Sequence, residues 1–173
     1  MSTRVILSVI GSDKPGLTQS LARAVLEAGG NWLEGHLSRI GGSYVGSVLV
    51  ELDEARLDEL EANARKVDAS GLHVSLAPTG PHQPPAGKAM TFELVGQDRP
   101  GIIHEVTAVL SGLGVNIEEL DSESRHGAWS GEALFRAELR LTLPDGVSRD
   151  DVQQALEAIS GDIMVDFAIA PES

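Results

Sequence analysis

The chain has 173 residues, 42% of them hydrophobic and none a cysteine, with a formal net charge of −13. This composition fits one or two globular domains. It excludes disulfides, thiolate metal sites and cysteine nucleophiles, and no apolar run approaches the roughly 18 residues of a membrane span. The charge is uneven: residues 1–88 carry 8 Lys/Arg against 10 Asp/Glu, and residues 89–173 carry 5 against 16. Phosphate backbones attract clustered Lys and Arg, so direct nucleic-acid binding is not expected. The first glycine comes too early for a signal peptide, and a soluble cytoplasmic protein is expected.

Arg4 to Ile10 is short and β-branched, which predicts a strand. A turn containing Asp13, Pro15 and Gly16 follows. Leu17, Leu21, Ala24, Val25 and Ala28 then recur at helical spacing, and Gly29-Gly30 closes the helix. Trp32 to Ile40 reads as extended, Gly41-Gly42-Ser43 as a hairpin turn, and Tyr44 to Leu52 as the returning strand. Asp53 caps a helix with apolar positions Leu57, Leu60, Ala64 and Val67, and Leu72, Val74 and Leu76 alternate in a last strand. A Pro/Gly-rich linker over 79–88 follows, semi-rigid by composition.

The order then repeats. Met90 to Val95 is a strand; Ile102, Val106, Leu110 and Leu113 mark a helix ended by Gly114; Val115 to Arg125 is extended, with a turn near His126-Gly127. Ala133 to Leu143 alternates apolar with polar residues, the pattern of a half-buried strand. Val152, Leu156 and Ile159 mark a helix opening after Ser148, and Ile163, Val165, Phe167 and Ile169 a final strand. Two β-α-β-β-α-β units are predicted, over 1–78 and 89–173. Each is a ferredoxin-like α+β fold with a four-stranded antiparallel sheet and two helices on one face. Such sheets leave edges that want covering, which makes pairing between halves or a homo-oligomer an expectation.

The repeat is strongest at one turn. Gly11-Ser12-Asp13-Lys14-Pro15-Gly16-Leu17 matches Gly96-Gln97-Asp98-Arg99-Pro100-Gly101-Ile102 at an offset of 85, and Asn31 matches Asn116 at the same offset. Pro15 and Pro100 suit the first helical turn. Gly16 and Gly101 permit close approach of a backbone or ligand. Free N–H groups and the helix dipole favour a carboxylate. Asp13 and Asp98 could accept hydrogen bonds from an ammonium, so the pair of features suits a small zwitterion such as an amino acid. The competing reading is a plain helix opener in which Asp bonds the backbone.

Asn31 and Asn116 each follow their Asp by 18 residues. A helix of about 13 residues spans roughly 20 Å, so each Asn lies far from its own turn. A shared site would combine the Asp13 turn with Asn116 and the Asp98 turn with Asn31. The five histidines, His36, His73, His82, His104 and His126, lack zinc-like spacing, and neither a Gly-x-Ser-x-Gly elbow nor a P-loop occurs. No metal, cofactor or catalytic set is expected. Trp32 and Trp129 are expected to pack.

These residues resemble the ACT domain family, whose pattern is a ferredoxin-like unit with a Gly-x-Asp-x-Pro-Gly-[Leu/Ile] turn after the first strand and Asn near the start of the second. The resemblance implies regulatory modules that bind amino acids through Asp13, Lys14, Pro15, Gly16, Leu17 and Asn31, and through Asp98, Arg99, Pro100, Gly101, Ile102 and Asn116. Two such units without a catalytic domain are similar to the glycine cleavage system transcriptional repressor family. That likeness implies a non-enzyme that senses a small amino acid, glycine being the family-based guess, and contacts a transcription activator; the alternatives are a ligand-regulated subunit or accessory domain of a metabolic enzyme, and a structural adaptor that binds no ligand. A similar turn opens the regulatory domain of formyltetrahydrofolate deformylases, which continue into a catalytic domain.

Overall fold

The computed structural model describes residues 1–80, 86–126, 133–159, 161 and 163–168. Three expectations fall wholly or partly outside them: the middle of the linker with His82, the turn at Gly127 with Trp129, and the strand end at Ile169. The chain divides into two compact units, Met1–His82 and Gln83–Ser173.

In the first unit, β1 (Ser2–Ser12) leads to α1 (Leu17–Glu27), then β2 (Asn31–Ile40), β3 (Ser43–Asp53), α2 (Leu57–Asp68) and β4 (Leu72–Pro78). The sheet order is β2-β3-β1-β4, and all three pairings are antiparallel. The second unit repeats this with β5 (Lys88–Gln97), α3 (Ile102–Gly112), β6 (Asn116–His126), β7 (Ala133–Leu143), α4 (Arg149–Glu157) and β8 (Met164–Ala168), in the order β6-β7-β5-β8. Each unit is therefore the four-stranded ferredoxin-like fold that the sequence predicts.

Alternation decides which sheet face is covered. Val5, Leu7 and Val9 of β1 are buried with Val48, Val50 and Leu52 of β3 beneath Leu21, Val25, Leu60 and Ala64 of the helices. Phe92 and Leu94 do the same in the second unit with Ala137, Leu139, Leu141, Val106, Leu110, Val152 and Leu156. Each unit thus has its own core. Among the described residues no helix is long and apolar enough to cross a membrane.

Helix ends follow local chemistry. The residues after α1 and α3 close Schellman motifs: Gly30 N–H bonds Val25 O at 2.9 Å and Gly29 N–H bonds Leu26 O at 2.8 Å, with Val115 and Gly114 repeating this at 3.0 Å each. Gly29 and Gly114 both take φ 69°, which a side chain resists. Ser148 caps α4 in a reciprocal capping box with Asp151. Asp53 differs from expectation. It accepts from Ala55 N–H at 3.1 Å and caps a 3-10 turn, Glu54–Arg56, before α2 begins at Leu57.

The strands β2 and β6 carry a feature that the sequence reading lacks. Their pairing jumps between Trp32 and Glu34 and between Ile117 and Glu119, so Leu33 and Glu118 are the extra residues of two β-bulges. The bulges stand at the same 85-residue offset as the turns.

Candidate functional site

In both units the first strand runs out into the repeated turn, which delivers the chain to the start of a helix. Gly16 sits at φ 90°, ψ −5°, and Gly101 at φ 89°, ψ −2°, each immediately before its helix. Nothing lies within 4 Å of where a side chain would begin at either glycine, so left-handed backbone rather than crowding requires them. This left-handed step also moves the prolines. Pro15 and Pro100 stand before the helix instead of in its first turn, because a left-handed residue interrupts the helical path behind it.

Neither helix start carries a side-chain cap. Gly16 and Gly101 carbonyls accept from Ser20 N–H at 2.9 Å and Glu105 N–H at 3.0 Å. The first-turn amides of α1 and α3 have no side-chain cap, and one of them, Ile102 N–H, donates to Arg99 O at 3.3 Å. Neither Asp13 nor Asp98 accepts a hydrogen bond from these amides. Asp13 pairs instead with the Arg39 guanidinium, and Asp98 accepts a 2.5 Å hydrogen bond from Ser124 Oγ.

The neighbouring cations behave differently. Arg99 grips both carboxylate oxygens of Glu105, at 2.8 Å for the Nη1–Oε1 bond. Hydrogen bonding between the two raises the Arg99 pKa and lowers that of Glu105, against a smaller opposing effect of burial. Lys14 has no ion pair among the described residues. Beside the first turn, Thr18 and Tyr44 share a 2.6 Å hydroxyl–hydroxyl hydrogen bond.

Asn31 and Asn116 are exposed at the first residues of β2 and β6. An 11-residue helix, about 16 Å long, separates each from its own turn. Asn116 Nδ2 donates to Glu118, the bulged residue. The turn residues of one unit are thus brought together with Arg39, Thr18 and Tyr44, or with Ser124 and Glu105, but not with that unit's Asn. Sequence reasoning missed all five of these neighbours. One signal was present: Arg39 and Ser124 stand at the repeat offset of 85.

Two surface concavities are lined by residues other than those of the turns. A concavity of about 470 Å³ at Lys88, Leu143 and Arg149 lies at the other end of β5. One of about 220 Å³ lies between α1 and α2 at Arg23, Asn63 and Lys66.

Two ferredoxin-like units, each opening its first helix with the same uncapped Asp-x-Pro-Gly turn, define a tandem of small α+β modules. Residues 3–76 and residues 90–161 each match the ACT domain, and the chain belongs to the ACT domain family. It is 20% identical over 157 residues to the glycine cleavage system transcriptional repressor of Escherichia coli strain K12, covering 90% of this chain and 83% of that protein. An uncharacterised protein from Galdieria sulphuraria has the same fold, with TM-score 0.81 and 26% identity over 98% of this chain and all, 100%, of the other. So does a crystal structure described as a glycine cleavage system transcriptional repressor, with TM-score 0.73 and 15% identity over 97% of this chain and 98% of that one.

Proposed function

We propose that this ACT-domain regulatory protein senses a small amino acid and passes the signal to a protein partner. The observation that carries the reading is the turn itself. In both copies, uncapped helix-start amides stand beside a carboxylate that does not bond them. Such an arrangement matches the carboxylate and ammonium of a zwitterion. The unit's own Asn lies beyond the helix, away from its turn. Each turn is then half a site, finished by the Asn of another copy of the unit, in this chain or in a second one. Glycine is the first candidate, by analogy with the repressor relative. The same analogy makes a transcription activator the first partner to try.

The mechanism is linkage. Ligand shifts the population towards the arrangement that binds it better, and the partner discriminates between the arrangements. The size of the signal is bounded by those two differential affinities. No catalytic step is assigned to any residue.

Thermal unfolding of protein stripped of carried-over ligand, with each common amino acid in turn, tests the reading. At 100 times its dissociation constant the correct one adds about 2.7 kcal/mol and raises the midpoint by a few degrees. A flat response across the whole set would sink the sensor and leave an adaptor whose turns are structural.

A further inference from the structure

The two turns share one backbone plan but carry opposite charge balances. At the first, Asp13 already has a counter-ion in Arg39, and Lys14 is an additional cation with no ion pair among the described residues. At the second, Arg99 is consumed by Glu105, and Asp98 meets the neutral hydroxyl of Ser124. Among the described residues, the first turn therefore holds one cation in excess and the second one anion in excess.

Two residue differences at matching positions produce the inversion. Arg39 lies opposite Tyr44, which lies opposite Gly11. Ser124 lies opposite Phe135, which lies opposite Gly96. Arg39 and Ser124 thus occupy one place in the two sheets, at the end of the edge strand that stands over the Asp. Ser20 and Glu105 are likewise equivalent, at an offset of 85. Ser20 turns its hydroxyl back to Gly16 O at 3.0 Å, whereas Glu105 reaches out to Arg99.

We propose that the turn at Asp98 takes the ammonium group of the ligand, and that Arg39 fills the equivalent place at Asp13. This rests on the sensing function proposed above and assigns it to one of two otherwise matched turns. An ammonium entering the first turn must displace a guanidinium from Asp13 and then sit beside it. At the second turn it replaces the neutral hydrogen bond from Ser124, the one side-chain partner of Asp98 among the described residues, and gains a charge-assisted one. Arg39 is accordingly the specificity-determining residue. An exposed ion pair is worth up to about 1 kcal/mol, so the discrimination against the first turn is roughly five-fold, and greater where the two cations repel.

Backbone-amide NMR of the full chain, titrated with glycine and each common L-amino acid in turn, reports the two turns separately through Gly16 and Leu17 and through Gly101 and Ile102. The second turn is expected to reach half-saturation at a ligand concentration about five-fold lower than the first. Asp98→Asn should abolish that response in a chain whose amide dispersion shows it folded. Arg39→Ser, at an exposed position, should bring the first turn within about two-fold of the second. Equal half-saturation in the unmodified chain, tighter binding at the first turn, or an Arg39→Ser variant with unchanged response would each overturn the assignment while leaving sensing intact. Silence at both turns towards every amino acid up to about 10 mM would overturn the sensing reading as well.

Discussion

Individual carboxylates tie this fold to pH. Asp151 is held below its ordinary pKa by the Ser148 hydroxyl and then by the Ser148 backbone N–H. Glu93 is lowered by its hydrogen bond from Arg136, and Glu105 by that from Arg99. A carboxylate with a depressed folded-state pKa adds stability that is fully present above its unfolded value. That stability disappears as pH falls through the folded value. The unfolded values lie near 4, so the thermal midpoint should be level through about pH 5 and decline below about pH 4. Asp151→Asn removes one contribution and should lower the midpoint at neutral pH while flattening the acid limb. A midpoint that rises on acidification below about pH 4 would contradict this assignment. All three groups are solvent-facing, and each effect is correspondingly small.

At the scale of elements, the strands and helices were legible because their apolar periods are clean. β7 alternates from Leu134 to Leu141, and the four helices keep their buried positions about three and four apart. β2 was legible only as extended chain, and the bulge explains why. Leu33 takes no place in the ladder, so Trp32 and Gly35 share a sheet face although three positions separate them. The Trp32 ring covers Gly35, and a Cβ there would lie 2.9 Å from it. Gly35→Val should therefore destabilise the first unit by about 1–3 kcal/mol, the range for overpacking. Chemical denaturation would read this as a lowered midpoint, and an unchanged midpoint would mean that the indole moves aside without penalty. The turn residues were legible as a repeated motif. Their companions were not, because Arg39, Tyr44 and Ser124 reach the turns through cross-strand register, which no local pattern encodes.

Across the molecule, the two sheets present different outer faces. The first carries Ile6, Ser8 and Ile10 on the side away from its helices, with Ile10 55% exposed. The second carries a lattice of charge in which Arg136 joins Glu93 at 2.8 Å and reaches Glu123 at 3.9 Å, while Arg140 meets Glu119 at 3.5 Å. The cations of this lattice are already neutralised, and the chain as a whole is at −13. Labelled duplex DNA should accordingly show no anisotropy change with this protein even at about 50 mM salt, where phosphate contacts are strongest. Micromolar binding under those conditions would require a basic surface that the charge distribution does not provide. Any influence on transcription would then run through protein contact, as the proposed function has it.

The paired bulges have a practical consequence. Because Leu33 and Glu118 each add one residue at the same step, β2 and β6 keep count with one another from their leading Asn onward. The ten-residue stretches 31–40 and 116–125 match in register. Grafting one onto the other unit would carry its surplus residue with it and leave the ladder beyond in frame. The duplication thus comes with its own splice points, at which one half can be rewritten in the language of the other.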